Sequence, residues 1–264
     1  MLETTAVIIS NKKAAKSQYE LVLRVKGLAG KPVLPGQFCM LSVDDPSGAR
    51  LLRRPFSVFS RPGKDRISVL FKIAGEGTAL LSKKKKNETC SILLPLGNGF
   101  PLEQLEKRHL YIVAGGIGAA SVHSLLAVRS KSKKFFYGAA SKDELCPVRP
   151  PKNATISYAT QDGSRDYKGL VTDLVKRCVT KDLASLSGKD VAVCACGPMA
   201  MLKNLFQSIS ALDPSIKMYF SLEERMACGF GVCMGCVVAT DKGYKRACAD
   251  GPVFPADAVD WTRY

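Results

Sequence analysis

Cys228, Cys233, Cys236 and Cys248 stand in the order C-x4-C-x2-C-x11-C. The spacing puts three thiolates in one short loop and brings the fourth from a following hairpin. Four thiolates are the ligand set of a [2Fe–2S] cluster, and C-x4-C-x2-C with a more distant fourth Cys is a recurring spacing for it. Gly229, Gly231 and Gly235 lie among the ligands. A backbone wrapped around inorganic sulfides needs close approach and, at some positions, φ > 0, and glycine allows both. The chemistry expected is one-electron transfer. Zinc and plain buried thiols are the alternatives. A zinc knuckle usually uses two C-x2-C pairs, and here only Cys233 and Cys236 form one.

Other residues suggest an anionic ligand. Arg54-Pro55-Phe56-Ser57 reads as part of a strand, and Gly75-Glu76-Gly77-Thr78 as the start of a short helix. An arginine, a neighbouring hydroxyl and a helix N-terminus can together hold a pyrophosphate. Each alone is ordinary, the Gly-Glu-Gly-Thr start being plain capping. Further on, a strand ends in Ala114-Gly115-Gly116-Ile117-Gly118 and a later one in Cys196-Gly197-Pro198-Met199, each before a helix. Two such turns on one sheet put a ligand crevice between them. The first is not the G-x-G-x-x-G fingerprint, because Ser121 falls where the third Gly would be. Asp143 lies where a ribose-binding acid could sit, although a solvated turn residue is the more ordinary reading. His109 and His123, the only histidines, fall in core or helix positions and are assigned no acid–base role.

The elements that must position these residues fall into three stretches. Short β-branched or aromatic strands are expected at 6–10, 20–25, 37–43, 55–60, 67–73 and 90–94, a spacing that suggests a barrel or sandwich. From about residue 101 strands at 110–114, 134–138, 155–159, 190–195 and 217–221 alternate with helices at 119–129, 170–179 and 199–211. That alternation means a parallel sheet with crossovers. The expected modules are a β-barrel over 1–100, an α/β domain over 101–221 and a cysteine-bearing tail over 222–264.

The chain has 264 residues and 46% hydrophobic content, ample for packed cores. Residues 1–16 lack an apolar signal core, and no run approaches the ~18 apolar residues of a membrane span. A cytoplasmic location is expected, and with it reduced thiols rather than disulfides. Cys39, Cys90, Cys146, Cys178, Cys194 and Cys196 read mostly as small core residues. The net charge of +16, from 39 basic and 23 acidic side chains, suits an anionic cofactor or an acidic protein surface. No nucleic-acid-binding signature accompanies it, so nucleic acid is not an expected partner. The run 83–86, four lysines after a short apolar stretch, reads as a solvated helix end.

The order Arg-Pro-Phe-Ser, Gly-Glu-Gly-Thr, Gly-Gly-Ile-Gly, Cys-Gly-Pro-Met resembles the ferredoxin–NADP reductase superfamily, which pairs an FAD-binding barrel with a nicotinamide-binding α/β domain. Ser221-Leu222-Glu223-Glu224-Arg225-Met226, the cysteine loop, Tyr244-Lys245-Arg246-Ala247-Cys248 and Asp250-Gly251-Pro252-Val253-Phe254 narrow the likeness. They are similar to the electron-transfer subunits of type B dihydroorotate dehydrogenase. The resemblance covers about residues 5–257. It implies FAD, a [2Fe–2S] cluster, NAD(H) as substrate and an FMN-containing catalytic partner, in a heterotetramer of two of each, serving pyrimidine biosynthesis. On this resemblance Arg54, Pro55, Phe56 and Ser57 match the flavin-binding strand, and Leu70, Phe71 and Lys72 the strand beside it. Gly77 and Thr78 match the flavin pyrophosphate contact, and Cys228, Cys233, Cys236 and Cys248 the cluster ligands. Gly115, Gly116, Gly118, Cys196, Gly197 and Pro198 are the expected nicotinamide-side residues.

The implied relay runs from NADH to FAD, then by single electrons to the cluster and the partner's FMN, with no side chain needed as acid or base. Ala119-Ala120-Ser121 stands where the family commonly has a Pro, and Tyr137-Gly138-Ala139-Ala140 replaces a more polar segment. Both leave the choice between NADH and NADPH open. Trp261 and Tyr264 are expected to pack or fray rather than stack on a flavin. Another flavin/Fe–S oxidoreductase subunit is the nearest alternative, such as that of an NADH-dependent ferredoxin–NADP oxidoreductase or a sulfide dehydrogenase. A zinc-binding or regulatory module without flavin is the more distant one.

Overall fold

A computed structural model describes residues 1–43 and 52–264. The first part contains β1 (Leu2–Ala15), β2 (Gln18–Val25), β3 (Phe38–Leu41), β4 (Arg54–Gly63), β5 (Arg66–Lys72), α1 (Glu76–Lys83) and β6 (Thr89–Leu96). The six strands close into an antiparallel barrel in the order β1-β2-β5-β4-β3-β6. Side chains alternate with period two, as a barrel wall requires. Phe56 and Val58 of β4 and Ile67, Val69 and Phe71 of β5 fill the interior. Phe59 and Leu70, on the opposite faces of the same strands, belong to a different core outside the barrel.

The second part contains α2 (Leu102–Leu105), β7 (His109–Gly115), α3 (Ala119–Val122), β8 (Ser132–Ala139), β9 (Ala154–Thr160), β10 (Tyr167–Lys168), α4 (Val171–Asp182), β11 (Val191–Cys196), α5 (Met199–Ser210) and β12 (Lys217–Ser221). A hairpin, β13 (Val237–Thr240) and β14 (Gly243–Arg246), and β15 (Val253–Pro255) complete the chain. Seven strands make one sheet, β10-β9-β8-β7-β11-β12-β15. Every pair in it is parallel except β12–β15. The expected 222–264 module thus shares a sheet with the segment before it.

The central strands are buried on both faces, which is why they read as continuous apolar runs rather than alternating ones. One face is covered by Val171, Val175 and Val179 of α4 and Leu202, Leu205 and Ile209 of α5, spaced to form helical stripes. Each such side chain contributes about 1.5–3 kcal/mol when fully buried. On the other face Ile112 and Ala114 meet Ala119, Ala120 and Val122 of α3, and also Phe59 and Leu70 of the barrel wall. The barrel therefore serves as part of the second covering layer.

The helix expected over 119–129 is shorter in the structure. It stops at Val122, and His123–Ala127 wind as a tighter 3-10 turn. There the His123 ring stacks on Phe59 at 4.1 Å and its Nδ1 lies 3.3 Å from the Phe59 carbonyl. Contact with the barrel overrides helical continuity. Burial lowers the pKa of His123. Among the described residues no helix is long and apolar enough to cross a membrane.

Trp261 packs rather than frays. Its ring lies 5.6 Å from Phe206 of α5 and 5.8 Å from Phe220 of β12, and its Nε1 donates to the Ala256 carbonyl at 2.7 Å. Tyr264 accepts the Ala239 N–H of β13 at 3.1 Å. Trp261→Ala is expected to cost about 3–5 kcal/mol, the range for emptying an aromatic core site. Urea unfolding followed by circular dichroism measures it; a loss below about 1 kcal/mol would contradict this packing role.

Candidate functional site

β7 and β11 are neighbours in the sheet, yet the chain leaves β7 toward β8 on one side and returns to β11 on the other. Strand order reverses between them, and ligand crevices of open α/β sheets form at such points, outside the strand C-termini. A cleft of about 610 Å³ lies there, bordered by Gly115, Gly116, Gly118, Gly197 and Pro198. The two turns interlock. A Cβ on Gly118 would stand 2.3 Å from the Cys196 carbonyl oxygen, and one on Gly197 would stand 3.0 Å from the Gly115 Cα. Much of the glycine here therefore serves close packing. Gly116 differs: nothing lies within 4 Å of where its Cβ would be, so its backbone faces open space. The N-terminus of the 12-residue α5 follows Pro198, with unpaired N–H groups suited to an anion.

The opposite wall brings in the barrel. Lys72 of β5 borders the cleft with its Nζ 3.9 Å from Glu144 Oε2. Gln18 of β2 donates to the Glu144 carbonyl at 2.6 Å, tying the two parts together. Glu144, not Asp143, lines the cleft. Asp143 is exposed in the adjoining 3-10 turn, matching its ordinary reading.

At the cleft's base Cys196 Sγ lies 3.7 Å from Glu223 Oε1, and Ser121 Oγ donates to Ser221 Oγ at 2.7 Å. Burial, reinforced by Glu223, pushes the Cys196 thiol well up, so it stays protonated. Burial also raises the Glu223 carboxyl, against the Cys196 hydrogen bond. Glu223 still exposes part of its surface to the cleft. Sequence reading assigned Glu223 no role, although its position just past the end of β12 was the available signal.

The barrel residues meet at one rim. Arg54 opens β4, and its guanidinium lies over the first turn of α1: a Cβ on Gly77 would be 3.3 Å from Arg54 Nε. Thr78 Oγ1 accepts the N–H groups of Ala74 and Gly75 at 2.9 and 3.2 Å and so closes that helix start. Asn11 Nδ2 holds the far end, donating to the carbonyls of Leu81 and Lys84 at 2.9 and 3.0 Å. The side chains of Pro55 and Ser57 alternate with that of Phe56, which points into the barrel. Phe71 is interior too, stacked on Tyr19 at 5.8 Å, and Leu70 lies in the core against the sheet. Of the expected barrel residues, Arg54, Ser57 and Lys72 on the strands and Thr78 on α1 present polar groups at the surface, whereas Phe56, Leu70 and Phe71 build the wall behind them.

The cysteine loop follows Leu222. Gly229 and Gly231 have φ of +81° and +93°, and Cβ atoms there would stand 2.6 Å from Met40 Cγ and 2.8 Å from Ala249 Cβ. Both backbone conformation and space demand glycine, as expected at some of these positions. Met40 of β3 is the register partner of Pro55 on the adjacent β4, so the loop lies one strand away from Arg54–Ser57. Among the described residues no three His, Cys, Asp or Glu side chains converge on a single metal ion. The thiols lie close to one another nonetheless: Cys228 is hydrogen-bonded by Cys233, and Cys248 interacts with both Cys236 and Cys228. Four neighbouring thiols are the donor set that a [2Fe–2S] cluster takes. Cys236 and Cys248 are buried and Cys233 is exposed.

Desolvation raises the Cys228 thiol, but the N–H groups of Cys233, Phe230 and Val232 and the Cys233 side chain outweigh it and bring it to about 6. Burial and Cys236 push Cys248 up to about 12. In metal-free protein, alkylation at Cys228 is expected to rise as pH increases through about 6 and to level off above it, with Cys248 unreactive at neutral pH. Mass spectrometry of iodoacetamide-treated protein reads this; faster labelling of Cys248 would contradict the thiol assignment.

Residues 223–260 match the family described as the iron-sulfur cluster binding domain of dihydroorotate dehydrogenase B. A chain from the structure of an NADH-dependent reduced ferredoxin-NADP oxidoreductase superposes with a TM-score of 0.81 at 26% identity, covering 98% of this chain and 90% of that one. The ferredoxin NADP+ reductase of Neisseria gonorrhoeae, solved with bound FAD and NADP, shares the fold at a TM-score of 0.68 and 18% identity, covering 83% and 99%. A protein of Caldanaerobacter subterraneus subsp. tengcongensis, the electron transfer subunit of dihydroorotate dehydrogenase B (NAD(+)), is 39% identical over 96% of this chain and 97% of its own length. A homologue of that subunit in Aquifex aeolicus is 38% identical over 98% and 99%. With likeness of this degree along nearly its whole length, the chain belongs to the family of electron transfer subunits of NAD(+)-dependent dihydroorotate dehydrogenase B.

Proposed function

We propose that this chain carries electrons between NAD(H) and a catalytic dihydroorotate dehydrogenase subunit, using FAD and a [2Fe–2S] cluster of its own. The observation that carries the reading is the adjacency of three sites. The glycine cleft shares Lys72 with the barrel, Arg54–Ser57 lies at the barrel rim, and the cysteine loop packs on Met40, the cross-strand neighbour of Pro55. When bound, a flavin exchanges a hydride with NAD(H) and releases electrons singly to a centre that accepts only one.

The protein's own residues bind and position. Arg54, with Gly77 and Thr78 at the start of α1, would hold the flavin pyrophosphate, and Pro55 and Ser57, backed by Phe56, Leu70 and Phe71, would contribute the rest of the flavin site. Lys72, at the edge of the cleft, lies between the flavin and nicotinamide sites. Gly115, Gly116 and Gly118, with Gly197 and Pro198, would admit the nicotinamide nucleotide, Cys196 lying buried behind them. Cys228, Cys233, Cys236 and Cys248 would hold the cluster. No side chain of this set is asked to move a proton.

The partner is an FMN-containing catalytic subunit in pyrimidine biosynthesis, assembled two of each in the cytoplasm. Phe230, Val232 and Met234, in the same loop as exposed Cys233, expose 47%, 73% and 54% of their surface. That concentration of apolar surface supports docking at the cluster. A second reading, the subunit of another flavin/Fe–S oxidoreductase, draws on the likeness to the NADH-dependent ferredoxin-NADP oxidoreductase chain. The identity of the co-purifying partner decides between them.

The first test is the visible spectrum of anaerobically purified protein before and after NADH. Flavin bands over a broad Fe–S envelope, both bleaching, are expected; a colourless protein would overturn the proposal. Arg54→Ala is expected to weaken FAD binding about 10–100-fold, the equivalent of one charge-assisted contact to phosphate. Equilibrium dialysis measures it. Val232→Glu is expected to abolish co-purification with the catalytic subunit while NADH-to-dye activity persists, and full retention of the complex would move the docking face elsewhere.

A further inference from the structure

The cysteine loop is braced by a side chain that ligates nothing. Arg246, the last residue of β14, turns back over the loop, and its Nη1 donates to the Gly231 carbonyl at 2.9 Å. The other edge of the guanidinium meets Asp250: Nε donates to Oδ2 at 3.1 Å, and Nη2 to Oδ1 at 3.4 Å. Asp250 Oδ2 also accepts the Arg246 backbone N–H at 2.8 Å. A Cβ on Gly231 would be 3.3 Å from Arg246 Nη1, so the cation lies directly on the backbone between Cys228 and Cys233. Cys248 is two residues further along the chain.

As a fold contact this pair is weak. The two side chains are 35% and 31% exposed, and ion pairs with such access to water contribute about 0–1 kcal/mol. Its geometry is more specific than that worth suggests. A planar fork uses one edge on a carboxylate and spends the remaining nitrogen on a backbone carbonyl inside a ligand loop, an arrangement a lysine cannot reproduce. The charge also sits where reduction changes charge. A [2Fe–2S] centre held by four thiolates becomes one unit more negative on reduction, and hydrogen bonds and charges around the sulfurs set its potential. A neighbouring cation favours the more negative state, and a neighbouring anion opposes it.

We propose that Arg246 and Asp250 form an opposed charge pair that sets the reduction potential of the centre held by the four cysteines, Arg246 raising it and Asp250 lowering it, with the Gly231 contact holding the cation on the loop. This rests on the cluster reading above. Arg246 is a positioning residue in this scheme, and Asp250 fixes the orientation of its guanidinium.

The test is a dithionite titration of the intact holoprotein, followed by the electron paramagnetic resonance signal of the reduced centre. Arg246→Gln is expected to lower the midpoint by at least a tenfold change in the reduction equilibrium, which is about 59 mV for a one-electron couple. Asp250→Asn, which keeps a hydrogen-bond acceptor and leaves the guanidinium unneutralised, is expected to raise it. Arg246→Lys, keeping the charge but losing the fork, is expected to stay near the wild-type midpoint and to release iron faster to a chelator. Opposite shifts in the first two variants support the proposal. Shifts of the same sign, or two unshifted midpoints at normal iron content, overturn it and leave a structural brace only. Should Arg246→Gln retain no iron, Asp250→Asn alone decides, an unshifted midpoint being fatal. Wild-type protein without an Fe–S signal overturns the cluster reading itself, a result distinct from an unshifted variant.

Discussion

The barrel wall lies directly on the sheet, and the rest of the arrangement depends on that apolar contact. Phe59 and Leu70 project from β4 and β5 into the core formed by Ile112, Ala114, Ala119 and Ala120. The same two strands carry Arg54, Ser57 and Lys72 at their polar positions. Period-two alternation means that fixing one face of a strand fixes the other. Burying Phe59 and Leu70 therefore sets where the rim residues stand relative to the carboxyl edge of the sheet. The small residues of α3 let the wall approach closely, and His123 stacked on Phe59 completes the seal.

The chemistry-bearing groups sit around this contact in contrasting surroundings. Cys196 lies where burial keeps its thiol protonated, and beside it the Glu223 carboxyl is raised from its ordinary value. Cys228, in a loop rich in N–H donors, is drawn toward the thiolate.

Much of this was legible in the sequence where the signal was local. Strand 217–221 appears with its expected bounds as β12, because an apolar run flanked by turns admits few other readings. The cysteine spacing and its glycines could be read directly because ligand loops are short and sterically demanding. Long-range effects were not legible. The 119–129 helix is cut short by a contact with Phe59, about sixty residues earlier in sequence. β15 is three residues long and ends in proline, so neither length nor periodicity announces it; only the vacant edge of β12 makes it a strand. Glu223 and Arg246 belong to recognisable motifs, but their partners, Cys196 and Gly231, are assigned by folding alone. Lys72 was read as a flavin-strand residue, and its place on the cleft wall beside Glu144 depends on how barrel and sheet meet.

The antiparallel pairing of β15 with β12 has a mechanical consequence. The chain enters the cysteine loop from one sheet strand and returns to the next, with Asn98 of the barrel donating to the Ala249 and Asp250 carbonyls at 3.2 and 3.1 Å. The loop is anchored at both ends to the same rigid frame. A redox centre carried on a flexible tether must search for its donor at each turnover, and its rate then follows linker length and solvent viscosity. Here the loop's place is set by the sheet, like soldered wiring, so a centre held there would keep a fixed distance to a donor bound on the same frame, and its transfer rate would be insensitive to viscosity.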